Sequence, residues 1–399
     1  MRDFTSSPRT SRIVTTLSYY VAFISLGLVG AALGPSLPYL AQQTRSPLSQ
    51  VSLLFTAFSL GYLLGSYQGG HTYDRVPGHR VMAATLIVMA AMLALIPLVS
   101  WLWLLAAVWL VLGMAAGALD VGGNTLVVWV HGDQVGPFMN GLHFIWGVGA
   151  LLSPLVIARA IVLTGGLVGA FWVLAALMLP GVIGLLRLAS PNHQRAAEDG
   201  PGRQNHHLLI ALGVLFFFLN VGAEASFGGW IFTYAIALDL GDATTAAYLT
   251  SGFWGTLTLG RLLAVPISAR LRPRYILVGS LLVCLAGLAI ILLWPGSAAA
   301  LWSGTLGVGL GMATIVPSTL SLVGRHIPIS GRITGWFFVG ASAGGMSLPW
   351  LIGQLFERSG PRASMVTIML AMLASAVAFA ALLAYLARPA MQSEVANVT

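Results

Sequence analysis

A run of about twenty apolar residues commits a chain to a helix crossing a bilayer, because hydrocarbon offers no partner to an unpaired backbone N–H or C=O. Twelve such runs are found here, near 14–40, 48–70, 81–100, 102–130, 137–159 and 166–188, then near 208–236, 244–268, 275–294, 298–323, 331–356 and 363–387. With 57% hydrophobic and 8% charged residues in 399, no soluble fold of this length is compatible with the composition. Between the two sixes lies SPNHQRAAEDGPGRQNHH, a long internal polar stretch of the kind that forms a flexible linker. The expectation is an all-α membrane protein of twelve transmembrane helices. Residues 1–189 would form an N-terminal six-helix bundle, 190–207 a cytoplasmic linker, and 208–399 a C-terminal six-helix bundle with a short tail.

The net charge of +8 is carried by arginine alone and follows the membrane sides. With the N-terminus inside, Arg2, Arg9, Arg12, Arg75, Arg80, Arg187, Arg195, Arg203, Arg261, Arg270, Arg272, Arg274, Arg325, Arg332 and Arg388 fall on the cytoplasmic side, and Arg45, Arg159, Arg358 and Arg362 outside. Fifteen against four predicts both termini in the cytoplasm; from compactness alone, a plasma (inner) membrane is expected to hold the protein. The same distribution leaves no basic stripe interleaved with aromatics, so no nucleic-acid partner is expected. Cys284 is the one cysteine, which excludes an internal disulfide or a cysteine metal cluster. The first apolar run is too long for a signal-peptide core and reads as a retained helix. No feature asks for an obligate partner, so a monomer is expected.

The halves echo each other. At an offset of 195, Phe58, Gly65 and Arg75 fall on Phe253, Gly260 and Arg270, and at a similar offset Gly141 and Ser153 fall on Gly335 and Ser347. Parallel repeats of six helices joined by a cytoplasmic linker place a solute site where the repeats meet, near mid-membrane. Between spans two and three the chain reads GHTYDRVPGHR. There Gly70, Asp74, Arg75, Gly78 and Arg80 resemble the signature loop of the major facilitator superfamily, with one extra residue between Arg75 and Gly78. That resemblance implies the major facilitator fold and a gating role for the loop. A carboxylate and guanidinia on a short glycine turn suit a latch, although any short cytoplasmic loop tends to be basic.

Charge is kept out of the apolar runs with two acidic exceptions, Asp120 and Glu224; the other nine acids fall in segments that read as loops or tails. A lone ionised carboxylate in hydrocarbon costs at least about 2.5–3.5 kcal/mol, so it normally faces water and has a function. Asp120 and Asn124 stand at i, i+4 on span four; Asn140 and His143 at i, i+3 on span five, with Trp146 partly to the side; Asn220 and Glu224 at i, i+4 on span seven. The asparagines suit solute hydrogen bonds and equally interhelical ones. Trp146 and Trp230 offer flat faces to the CH surfaces of a sugar, though tryptophan in such helices is often packing. His193, His206 and His207 lack acidic or cysteine company, so no metal site is expected.

The stretch LDVGGN over 119–124 is similar to the acid-x-x-x-Asn element of the fucose–proton symporter family, whose acid takes part in proton coupling, and Asn140 fits the same family. VGAEASFGGWIFTY over 221–234 and GPSLPYLAQQ from Gly34 resemble sodium-dependent glucose transporters of the major facilitator type. One departure matters. Fucose symporters carry a second acid in span one, where this chain has Gly34 and no acid at all, so their two-acid relay does not transfer. These resemblances imply ion-coupled symport, with H⁺ or Na⁺, of a sugar or similar small polar solute by alternating access. Asp120 and Glu224 would carry coupling, and Asn124, Asn140, His143, Trp146, Asn220 and Trp230 would line the solute site. The alternative is a proton-coupled exporter of cationic or amphipathic compounds, against which span five reads GVGALLSP where antiporters carry a glycine–proline motif. The chain has no phosphate loop, nucleophile elbow or HExxH, so it is not expected to be an enzyme, and no cofactor beyond the coupling ion is expected.

Overall fold

Four of the expected spans are broken, three of them four residues before a proline in the next helical turn and the fourth, 48–70, at Ser52. A proline lacks an N–H, and its ring collides with the carbonyl four residues earlier, which favours a break there, although Pro154, Pro266 and Pro349 lie inside helices that continue. Pro35 interrupts span one near Ala31, Pro180 ends a helix at Ala176, and Pro317 ends one beside Ala313. The computed structural model describes residues 8–191, 207–325 and 331–387. The first half consists of α1 (Pro8–Gly30), α2 (Leu33–Thr44), the single turn α3 (Leu48–Val51), α4 (Leu53–Tyr73), α5 (Gly78–Leu95), α6 (Leu102–His131), α7 (Val135–Thr164), α8 (Leu167–Ala176) and α9 (Leu179–Leu186). The second consists of α10 (His207–Ala237), α11 (Ala243–Ser268), α12 (Pro273–Leu293), α13 (Ala298–Met312), α14 (Ile315–Gly324), α15 (Gly331–Ser359) and α16 (Arg362–Leu386).

Among the described residues, ten segments are long and apolar enough to cross a membrane. The helices at the two remaining expected positions, α11 and α15, span 26 and 29 residues but are not among the ten. Threonines and Arg261 dilute α11, and small and polar residues dilute α15. Helix ends are closed by local chemistry. The Asp242 carboxylate accepts from the Thr245 N–H at 2.8 Å at the start of α11, and Gly165, at φ 79°, ends α7 in a left-handed conformation that a side chain would strain.

Contacts divide the chain into two compact units, Met1–Ser46 with Ala57–Arg195, and Pro47–Thr56 with Ala196–Thr399. The division at 195/196 falls inside the polar stretch expected to be a linker, of which 192–206 lies outside the described residues. The short piece 47–56 belongs to the second unit because of its bonds to α15. Ser49 donates to Glu357 at 2.7 Å, Gln354 donates to the Ser49 carbonyl at 2.6 Å, and Thr56 donates to the Met346 carbonyl at 2.8 Å.

Each unit is built on the same close helix crossings, made where glycine removes the side chain that would hold two backbones apart. In the first unit Gly27 of α1 lies against Gly149 of α7; in the second, Gly222 of α10 lies against Gly344 of α15, an offset of 195 for both members. Gly113 of α6 abuts the Phe58 carbonyl of α4, and Gly309 of α13 abuts the Phe253 carbonyl of α11. The sequence echo is thus an echo of packing.

Candidate functional site

The α4–α6 crossing sets up the first polar cluster. Gly61 and Gly65 of α4 press against the backbone of Leu110 and Met114, while Gly113 and Gly117 of α6 press against Phe58 and Tyr62. That reciprocal fit brings the Tyr62 hydroxyl to Asp120, donating to Oδ2 at 2.6 Å. Asn124, one turn on, donates from Nδ2 to Asp120 Oδ1 at 3.0 Å and to the Asp120 carbonyl at 2.9 Å. Asp120 is half-buried, and His143 of α7 is near enough to interact with its charge. Tyr73 is also within electrostatic range of Asp120; its ring is covered, and its hydroxyl lies under Gly122. Phe23 of α1 packs edge-on to His143 and sits against Gly123. Asp120, Asn124 and His143 are therefore brought together. Asn140 and His143 are both exposed within their unit, and the half-buried Trp146 lays its ring beside Gly30.

Chemically, this cluster is a carboxylate held by a phenol and an amide with an imidazole nearby. Oxygen atoms of that kind suit a proton or a hard monovalent cation, and hydroxyl-bearing solutes can exchange with the same donors. Tyr62 was missed from sequence. Its signal is the pair of small-residue repeats, Gly61/Gly65 and Gly113/Gly117, which mark α4 and α6 as close neighbours with Tyr62 beside the contact.

The second unit distributes its candidates differently. Asn220 and Glu224, expected to work as a pair, diverge. Asn220 is 4% exposed and donates to the Phe216 carbonyl at 2.7 Å and to the Ser375 hydroxyl of α16 at 2.6 Å. It joins two helices. Glu224 turns to α11, where the Arg261 guanidinium lies 3.7 Å from Oε1. Trp230 has no exposed surface; its N–H donates to the Pro349 carbonyl at 3.0 Å, and its ring lies between Phe55 and Phe356. The ring is thus packed among aromatic neighbours and offers no exposed face in this structure.

Arg261 itself is corrected. It was counted among cytoplasmic arginines, but α11 continues through Pro266 to Ser268, which places Arg261 about two turns inside the helix. Without it the arginine asymmetry is fourteen to four.

Of the residues expected in the signature loop, Gly70 lies within α4 and Gly78 opens α5, so the turn itself is 74–77. A Cβ at Gly78 would lie only 2.6 Å from the Leu126 side chain, which keeps that position small. Asp74, Arg75 and Arg80 are exposed. The neighbouring His79, not singled out from sequence, is 2% exposed; its Nε2 lies 2.8 Å from the Tyr19 hydroxyl and its Nδ1 3.1 Å from the Leu188 carbonyl. It ties α1, α5 and the end of α9 together.

Two units with repeated glycine crossings and a polar cluster among long apolar helices define a multi-pass membrane protein. Residues 19–349 match the family model of the Major Facilitator Superfamily, and the chain belongs to that superfamily. It is a multi-pass membrane transporter whose cargo is a small-molecule solute. The chain is 31% identical over 355 residues to sodium-dependent glucose transporter 1 of Xenopus laevis, covering 82% of this chain and 72% of that one. It is 29% identical to sodium-dependent glucose transporter 1A of Mus musculus, over 84% and 88% respectively, and 26% identical to major facilitator superfamily domain-containing protein 4A of Homo sapiens, over 86% and 87%. Among solved structures, a mutant form of the nucleoside transporter NupG superposes with a TM-score of 0.74 at 16% identity, over 92% of this chain and 99% of that one. At that identity the likeness shows the fold alone.

Proposed function

We propose that the protein imports a sugar or similar small polar solute together with H⁺ or Na⁺ by alternating access. It would work as a monomer in the plasma membrane with both termini cytoplasmic. The observation that carries the proposal is the Asp120 cluster. An acid in the middle of a span, held by Tyr62 at 2.6 Å and Asn124 at 3.0 Å with His143 close by, is costly to maintain unless a cation or solute uses it. The names of the relatives at 29–31% identity favour a hexose as the solute and Na⁺ as the first ion to try. In this scheme Asp120 carries coupling, Asn124, Asn140 and His143 bond hydroxyls, and Trp146 supplies an apolar face. Glu224 is the second coupling candidate, with Arg261 as its neighbour. Asp74, Arg75 and Arg80 would serve the gate.

A melting-temperature screen of the purified protein against sugars, at several pH values and with or without Na⁺, tests the solute class directly. A ligand at a hundred times its Kd adds about 2.7 kcal/mol of stability, well within detection. Sugars that leave the midpoint unmoved, together with resistance to lipophilic cations in a pump-deficient host, would establish the exporter instead.

A further inference from the structure

The hydroxyl of Tyr73, the last residue of α4, is enclosed and has no hydrogen-bond partner. The residue is 2% exposed, and a Cβ at Gly122 of α6 would collide with that oxygen. A covered phenol normally finds a partner, as two others of this unit do: Tyr62 donates to Asp120 at 2.6 Å and Tyr20 to the Phe138 carbonyl at 3.1 Å. Two groups lie within electrostatic range of Tyr73, Asp120 of α6 and the hydroxyl-bearing Tyr19 of α1. The packing agrees. Gly122 stands two residues beyond Asp120, and Phe23, one turn from Tyr19, lies on Gly123. The unspent hydroxyl therefore shares its surroundings with the coupling acid and a second phenol.

Tyr19 opens a chain that is already bonded. Its hydroxyl lies 2.8 Å from His79 Nε2, and His79 Nδ1 lies 3.1 Å from the Leu188 carbonyl. A carbonyl only accepts, so Nδ1 carries the hydrogen and Nε2 accepts from Tyr19. Such a ring can take a proton at one nitrogen and give one up at the other. Its far side is partly open to water, since Leu188 and Ser190 are half-buried and Ala189 between them is exposed. The Ser190 hydroxyl oxygen accepts from the His79 backbone N–H at 3.3 Å. On the helix of His79 and those packed against it, Arg80, Arg187 and Arg12 are exposed, as are His71 and Asp74 beside Tyr73; α6 contributes Asp120 and the half-buried His131, and α8 carries no ionisable residue.

We propose that Tyr73, Tyr19 and His79 relay the coupling proton from Asp120 to water on the side of the 74–77 turn, with Tyr73 as the link that closes during the cycle. The inference rests on proton coupling at Asp120, as proposed above, and supplies the route by which that proton leaves. In each passage the Asp120 carboxyl O–H breaks and its proton binds the Tyr73 oxygen. The Tyr73 proton passes to the Tyr19 oxygen, the Tyr19 proton to His79 Nε2, and the Nδ1 proton to water. One proton leaves Asp120 and one enters water. Both phenols end neutral, and the imidazole ends as its other tautomer, which returns by exchange with water. The link at Tyr73 is open in this structure. A route bonded from end to end would leak protons down the gradient with no solute moved, so an interruptible link is what coupling requires.

Net uptake driven by protons needs the relay; exchange of one sugar molecule for another proceeds with Asp120 protonated throughout and needs no hop. Proteoliposomes holding the full chain are assayed for labelled glucose uptake under a proton gradient, and for exchange against unlabelled glucose at equal pH. Tyr73→Phe keeps the ring and deletes a hydroxyl that bonds nothing. His79→Gln keeps an acceptor toward Tyr19 and a donor toward Leu188 but passes no proton between them. A positioned proton-transfer group is worth about a hundredfold or more, and water taking its place recovers part of that, so each variant should slow net uptake by about tenfold. Exchange should stay near the wild-type rate in both, and the melting midpoint of Tyr73→Phe should not fall, because no bond is lost. Should His79→Gln fail to fold, Tyr73→Phe decides alone. Net uptake at the wild-type rate in Tyr73→Phe, or net uptake and exchange lowered together, overturns the relay and leaves proton coupling at Asp120 standing. Wild-type protein that accumulates glucose under a Na⁺ gradient alone, or under neither gradient, overturns the proton coupling and the relay with it.

Discussion

Asp120→Asn removes one charge and almost no volume, and its consequences follow from the bonds at that carboxylate. Oδ2 accepts from Tyr62 at 2.6 Å and Oδ1 from Asn124 at 3.0 Å. An amide can keep both contacts if its oxygen faces Asn124 and its nitrogen donates to the Tyr62 oxygen. Two charge-assisted bonds of about 1.5–3 kcal/mol each become neutral bonds of about 0.5–1.5 kcal/mol. That loss is offset by relief from holding a charge away from water. The fold should therefore survive, with a net stability change under about 2 kcal/mol. Coupling should not survive, because an amide neither takes up a proton nor holds a cation by charge. In proteoliposomes a tenfold inward ion gradient stores about 1.4 kcal/mol, enough for roughly tenfold solute accumulation at one ion per solute. Wild type should approach that ratio with labelled glucose; the variant should stop at equality while still exchanging labelled for unlabelled sugar. Concentrative uptake by Asp120→Asn at the wild-type ratio would remove Asp120 from coupling.

Three further outcomes are expected. Trp230→Phe should cost about 1 kcal/mol through loss of its bond to the Pro349 carbonyl, and Trp230→Ala about 3–5 kcal/mol, neither altering the sugar KM of protein that folds; a large KM change in a stable Trp230→Phe would restore it to the binding site. Gly113→Ala would place a Cβ against the Phe58 carbonyl, forcing α4 and α6 apart at a cost of about 1–3 kcal/mol, seen as a lower melting temperature and weaker ion dependence as Tyr62 moves off Asp120; unaltered melting would show that the crossing is looser than it looks. Bonding by Thr245, first from its hydroxyl and then from its backbone N–H, holds the exposed Asp242 carboxyl below the ordinary range. Its cap therefore stabilises α11 at neutral pH and is lost as pH falls through that lowered value, so Asp242→Ala and wild type should differ in melting at pH 7 and converge in acid.

The apolar runs were legible because hydrocarbon allows so few solutions: each of the twelve corresponds to one helix or to a broken pair. Three of the breaks fall at Pro35, Pro180 and Pro317, but Pro154, Pro266 and Pro349 sit inside helices that continue, so proline alone does not mark a break. Asp120 and Asn124 meet as their spacing demands, since both lie on one helix. Tyr62 was hidden because its partner is 58 residues away and the meeting depends on how α4 is rotated against α6. Arg261 was hidden for a different reason. It lies inside the run 244–268 yet was counted with the cytoplasmic arginines that follow at 270–274, whereas α11 continues through Pro266 and carries Arg261 about two turns inside. Asn220 and Trp230 were legible only as residue types; that each is hydrogen-bonded to a neighbouring helix depends on tertiary packing.

Ion-coupled sugar import is tested most directly by labelled glucose uptake into proteoliposomes holding the purified chain, under an imposed Na⁺ gradient, a proton gradient, or neither. Accumulation above the external concentration under one of the two gradients, collapsing when an ionophore dissipates it, is the predicted result. Glucose that only equilibrates under every gradient, or does not enter at all, would contradict it.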